Sequence, residues 1–350
     1  MTDAMWGALL LWLLMFLYAM AGSVDFGAGF WSMWYADERE LTAGSIANRY
    51  LSPLWEVTNV FLVLFAVAVV GLFPGAAFQL GDVLLVPGGL ILILLTLRTV
   101  FMAYAHAVER HARLLRVISG VTGLLIPALL LSIFAIAEGG FVYISNGHPV
   151  LALGHLFTSP VTWSYIALGI LSEITLAAVI LADFSDVQGD ATAFQIYRRH
   201  ALQLSPIALL AAAACLAIVS AHAPWLAVNL WSEKLWFIGS AICYAGSLVS
   251  LLLAVGRQSR LIRAAAVWSV AQYFLATIGY GRAHLPYFLY PTLTVDASFT
   301  NSEMFRSVMI VLLIGLAILF PGFLWLWRLF LGRHSGDERP SVPRKEGTRS

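Results

Sequence analysis

Charged side chains are scarce in this sequence: Asp, Glu, Lys and Arg make up 11% of it, against 60% hydrophobic residues, where soluble domains carry about a quarter charged residues. With a mean hydropathy of +0.85, there is not enough polar surface to keep such a chain in water. The net charge of +1 offers no basic field for nucleic acid. Cysteine is nearly absent. Cys215 and Cys243 make neither a disulfide framework nor a metal-ligand spacing, and they read as small buried apolar residues. No Gly-rich phosphate loop follows a strand, because no strand is evident.

What is present is a series of long apolar runs. A hydrocarbon core about 30 Å thick takes roughly 20 apolar residues per helical span, and nine runs of that order lie near 5–34, 54–73, 82–105, 117–137, 161–183, 202–221, 235–255, 264–281 and 304–328. They are continuously apolar and lack the short alternating segments of a membrane barrel. The expected fold is therefore an all-α polytopic membrane protein with one transmembrane domain over 1–330. A basic tail over 331–350 is expected to be disordered. The first run has no positive leader and is too long for a signal-peptide core, so it reads as a retained span.

Orientation follows from Lys and Arg. The gaps after runs one, three, five and seven hold Arg39 and Arg49, then Arg110, Arg113 and Arg116, then Arg198 and Arg199, then Arg257, Arg260 and Arg263. The other gaps are nearly bare, with Lys234 and Arg282 as exceptions. The bare gaps are expected outside and the basic gaps on the cytoplasmic side of the membrane. An outside N-terminus and a cytoplasmic tail follow from an odd number of spans.

Ionisable groups inside spans are costly and mark function or structural pairing. Four stand out: Asp25 and Arg98 toward the inner ends of runs one and three, Glu56 at the inner start of run two, and Glu173 near the middle of run five. Asp25, Glu56 and Arg98 suit a hydrated pocket that takes protons from the cytoplasm. They equally suit a buried ion pair that locks helices together. Glu56, after Pro53-Leu54-Trp55, also suits a helix start, where a carboxylate meets the positive helix end. Trp55, Thr58 and Asn59 supply hydrogen-bonding neighbours. Glu173 has no basic residue within one turn and is expected to be neutral or paired across helices. No His falls well inside a run, where a haem carried by the chain's own helices would place an axial ligand.

Gly22-Ser23-Val24-Asp25-Phe26-Gly27-Ala28-Gly29 resembles the first-helix signature of the second subunit of bacterial cytochrome bd-type quinol oxidases. Ser52-Pro53-Leu54-Trp55-Glu56-Val57-Thr58-Asn59-Val60-Phe61-Leu62 resembles that family's second-helix motif, and Leu97-Arg98 its third-helix end. Gly279-Tyr280-Gly281 and Pro286-Tyr287-Phe288-Leu289-Tyr290-Pro291, with Leu293-Thr294, Ser298 and Thr300, are similar to its outer loop before the last helix. Trp55-Glu56-Val57, in place of the frequent Trp-Asp-Gly, is closer to the menaquinol-using branch typical of Gram-positive bacteria. The resemblance spans nearly the whole chain.

It implies two four-helix bundles plus one helix, and pairing by approximate two-fold symmetry with a subunit I that carries haem b and haem d, or a b-type replacement. It also implies oxidation of quinol, here menaquinol, with reduction of O2 to water using cytoplasmic protons, and room for a small single-helix accessory subunit. On that reading Glu56 and Asp25 form the proton path, supported by Trp55, Asn59 and Glu173, with Arg98 beside the acids or a haem propionate. A proton-coupled secondary transporter is the rival, although only Glu173 sits where such a protein keeps its midplane pair. A structural scaffold would leave both acids replaceable by amides.

Overall fold

The structure, a computed structural model, describes residues 2–36, 42–105, 112–145, 147–255 and 259–331. The side chains of 51–57, Trp55 and Glu56 among them, lie outside what it describes, as does the tail from 332 onward. In chain order the helices are α1 (Asp3–Trp34), α2 (Ala43–Leu72), α3 (Pro74–Val83), α4 (Leu85–Ala105), α5 (Ala112–Ala137), α6 (Leu153–Thr158), α7 (Pro160–Gln188), α8 (Ala191–His222), α9 (Pro224–Ser232), α10 (Lys234–Leu253), α11 (Ser259–His284), α12 (Val295–Ser298) and α13 (Ser302–Leu331). Eight are long and apolar enough to cross a membrane, and α2 with α3, bent by 117° at their junction, makes a ninth candidate. The chain is thus a multi-pass membrane protein.

Local sequence sets the breaks. Pro74 and Pro224 each open a short helix, α3 and α9, at the first-turn position where a missing N–H costs nothing. Gly189, at φ +82°, ends α7, and the Asp190 carboxylate caps α8 by accepting from the Ala193 N–H at 2.9 Å, so two adjacent residues turn the chain around. The apolar run expected from 82 therefore begins as a span only at Leu85.

The absence of strands expected from sequence is corrected in the loops. β1 (Val142–Ser145) pairs antiparallel with β2 (His148–Leu151), and β3 (Tyr287–Leu289) with β4 (Leu293–Thr294). Gly147, at φ +83°, leads into β2 in the left-handed conformation that a tight turn takes from glycine.

Helices α1, α2, α4 and α5 pack as one bundle and α7, α8, α10 and α11 as a second; α7 touches both α1 and α5, and α13 lies along α2. The halves repeat one another in order: long, long, short, long, long, then a hairpin and a short helix. Small polar residues bring helices close, as in Ser247 Oγ against Ser269 Oγ at 2.8 Å and Ser240 Oγ donating to the Gln272 carbonyl at 3.0 Å between α10 and α11.

Contacts between and within the bundles sort the helix ends into two sets. At one end Tyr197 donates to the Ala43 carbonyl (2.6 Å), Arg198 donates to the carbonyls of Leu251 and Leu252 that close α10, and Arg263 pairs with Asp183. This is the basic end, with Arg198 and Arg263 among its described charges. At the opposite, hairpin end the Tyr290 N–H donates to the Ala137 carbonyl, and Arg282 pairs with Glu233.

Candidate functional site

Asp25 is 2% exposed on α1 and Arg98 3% on α4. One Nη of Arg98 donates to Asp25 Oδ1 and to the Asp25 carbonyl, both at 3.1 Å, and the other donates to the Ser119 carbonyl of α5 at 2.6 Å. The guanidinium also lies over the Phe26 ring, 5.0 Å from its centroid. One side chain thus ties three helices around a buried acid. From Asp25 to the end of α1 at the basic end is roughly 14 Å at 1.5 Å per residue.

Glycines make room for this arrangement. A Cβ on Gly123 would sit 2.7 Å from the Phe26 carbonyl and 3.3 Å from Arg98 Nη1, and one on Gly29 would meet Arg98 and Ser119 at 3.1 Å. A Cβ on Gly27 would collide with the Ala177 Cβ at 2.5 Å and crowd the Glu173 carbonyl at 3.1 Å. The glycine-flanked acid of the first-helix motif is therefore a place where α4, α5 and α7 all approach α1 closely.

That approach brings Glu173 in. It is 3% exposed on α7, within electrostatic range of Arg98, Asp25 and Tyr18, and its Oε1 has no hydrogen-bond partner among the described residues. Tyr18 lies two turns before Asp25 on the same face of α1, and its hydroxyl has none either. Sequence reading found Glu173 as a lone acid and passed over Tyr18, which nothing distinguishes from other span tyrosines.

Asp25, Thr58, Asn59, Arg98, Thr99 and Met102 border a cavity of about 10 Å³, room for roughly one water. Thr58 and Asn59 place the turn of α2 that follows Glu56 against Asp25 and Arg98. Glu56 and Trp55 belong to α2, and their side chains lie outside the described residues.

The cluster does not fit a haem. Its cavity is water-sized, and both Nη atoms of Arg98 are committed within the chain, leaving only the buried Nε without a partner. Cys215 and Cys243 are free and buried, and Cys215 Sγ accepts from Ser164 Oγ at 3.5 Å. Among the described residues no group of three or more His, Cys, Asp or Glu side chains converges as a metal site.

Two helical bundles joined along α1 and α7, with a buried arginine holding a carboxylate inside the first of them, define an all-α membrane protein built around a polar centre. The particular family is shown by comparison: over residues 3–330 the chain matches the cytochrome bd terminal oxidase subunit II family, and it belongs to that family. It is 40% identical over 333 residues, 94% of this chain and 96% of the relative, to a Bacillus subtilis (strain 168) protein provisionally named a cytochrome bd menaquinol oxidase subunit II. A chain of the bd oxidase from Geobacillus thermodenitrificans matches with a TM-score of 0.81 and 38% identity, covering 95% of this chain and 99% of that one. The protein is thus a subunit of a quinol-oxidising oxidoreductase.

Proposed function

We propose that this chain pairs with a haem-carrying subunit I and passes protons from its basic end, on the cytoplasmic side, toward the site where that partner reduces O2 to water at the expense of quinol. The haems would supply electron transfer and oxygen chemistry from the partner subunit. This chain's residues hold and move protons. The menaquinol named for the Bacillus subtilis relative, together with the Trp55-Glu56-Val57 motif, makes menaquinol the proposed substrate of the assembly.

The observation that carries the reading is the water-sized cavity between Asn59, Thr58 and the Asp25–Arg98 pair. A water there would bridge the α2 turn that bears Glu56 to Asp25. The unpartnered Glu173 Oε1 and Tyr18 hydroxyl would extend the polar line into the interior. Arg98 fixes Asp25 on this reading and does not carry protons itself, since a guanidinium stays charged.

The test is an absorption spectrum and quinol-driven oxygen uptake of the chain purified alone and with its partner. Haem and activity are expected only in the pair. Stoichiometric haem and quinol oxidation in the isolated chain would overturn the proposal, and an intact membrane complex without haem would point to a transporter instead.

A further inference from the structure

The hairpin end holds another buried acid, which plays no part in this proton path. Glu138 directly follows α5 and is 5% exposed. Tyr165 of α7 donates its hydroxyl to Glu138 Oε1, and the Tyr280 hydroxyl of α11 lies 3.2 Å from that of Tyr165. The Glu138 backbone carbonyl accepts from Trp225 Nε1 of α9 at 3.3 Å. Trp225 in turn stacks on Tyr290, their centroids 4.3 Å apart.

The segment that carries Tyr290 packs on the end of α5 that bears the acid. Its N–H donates to the Ala137 carbonyl at 2.9 Å. Gly139, at φ +96°, lets it approach: a Cβ there would lie 2.6 Å from the Tyr290 carbonyl. His284, 7% exposed, lies between Tyr280 and Trp225 with neither ring nitrogen hydrogen-bonded among the described residues.

The titratable groups around Glu138 are Tyr165 from α7, Cys215 from α8, Tyr280 and His284 from α11, and Tyr287 and Tyr290 from the closing segment. Helix α9 contributes Trp225, which does not titrate. The charges described at this end include Arg282 and Glu233, which pair with each other at 2.8 Å. The side-chain donor described for the carboxylate is therefore a single phenol.

We propose that Glu138 is a proton-operated clasp: with its proton it lets α9 and the 285–291 segment close over the end of α5, and without it that cover opens. A neutral carboxyl suits a pocket of aromatic rings. A carboxylate there must recover water, and the α9 and 285–291 segments, which hold the Glu138 and Ala137 carbonyls through Trp225 and Tyr290, are what this end of α5 can release. Burial pushes the Glu138 carboxyl from its ordinary 4.5 up to about 7.

Linkage fixes the sign. The closed form binds the proton more tightly than the open form, so closure is strongest below about 4.5, weakens as pH rises through 7, and is constant above. Across that window the ratio of closed to open falls on the order of a hundredfold.

The experiment is hydrogen exchange of the Tyr290 amide in the assembled complex at pH 5 and pH 8, corrected for intrinsic exchange. Protection should fall on the order of a hundredfold at the higher pH, and Glu138→Gln should hold it at the pH 5 level throughout. PH-independent protection in the native complex, or unchanged pH dependence in Glu138→Gln, would overturn the proposal. If that variant fails to assemble, Tyr165→Phe decides: it removes the donor that favours the carboxylate, so the opening midpoint must move to higher pH, and an unmoved midpoint refutes the clasp.

Discussion

Replacing Arg98 by Gln removes the hydrogen-bonded ion pair with Asp25 at 3.1 Å and the donor to the Ser119 carbonyl at 2.6 Å, in a site where both side chains are almost wholly buried. Breaking such a pair from one side costs about 3–5 kcal/mol, because the surviving charge is left buried without its partner. Asp25→Asn leaves the guanidinium in the same position and should cost a comparable amount. The double variant leaves neither charge and should cost clearly less than the two losses together, with a coupling of about 2 kcal/mol or more. Independent sites would add to within about 0.5 kcal/mol. Denaturant titration of the purified complex, followed by tryptophan fluorescence, measures all four corners of the cycle. Losses that simply add would show that Arg98 and Asp25 do not act as a pair, and the site would need a different account. Adding Glu173→Gln to Arg98→Gln should recover less than Asp25→Asn does, because no hydrogen bond joins Glu173 to Arg98 among the described residues.

Gly27→Ala should cost about 1–3 kcal/mol by overpacking α1 against α7, and Ala177→Gly should restore part of it, since the clash at 2.5 Å is between the two Cβ positions; thermal stability of the single and double variants checks this. Arg282→Ala removes a pair whose arginine side chain is 57% exposed, so it should change stability by less than about 1 kcal/mol in the same assay. Asn59→Leu fills the polar edge of the water-sized cavity and should slow oxygen uptake without changing the haem spectrum.

The spans were legible because hydrophobic length alone marks a helix in lipid, and the structure gives eight of them plus the bent α2–α3 pair among the described residues. Most ends move by a few residues, but α2 begins at Ala43 rather than 54 and α8 at Ala191 rather than 202, because both helices continue through polar turns that hydropathy leaves out. The pairing of Asp25 with Arg98 was legible as one of two readings, since a lone cation and a lone acid inside neighbouring spans have few places to go. Glu173 could not be assigned from its own helix. Its neighbours come from α1 and α4, and the close approach that unites them depends on Gly27 meeting Ala177, a relation between residues far apart in sequence. Glu138 escaped because attention fell on acids within the apolar runs, and it stands one residue past the end of one. An acid followed by Gly139-Gly140 in a gap otherwise bare of charge was the available signal. The β1–β2 hairpin had its signal in Asn146-Gly147, masked by strands too short to show alternation.

The central claim, that Asp25 and Glu56 carry protons from the basic end for oxygen reduction, is tested most directly by quinol-driven oxygen uptake per haem in Glu56→Gln and Glu56→Asp, measured with subunit I present. Gln keeps the size and hydrogen bonding of Glu but cannot carry a proton. Strongly slowed turnover in Glu56→Gln with an unchanged haem spectrum, and a milder loss in Glu56→Asp, is the predicted result. A helix-start role is already excluded, since α2 begins at Ala43, and near-normal turnover in Glu56→Gln would reduce Glu56 to a structural residue and contradict the account.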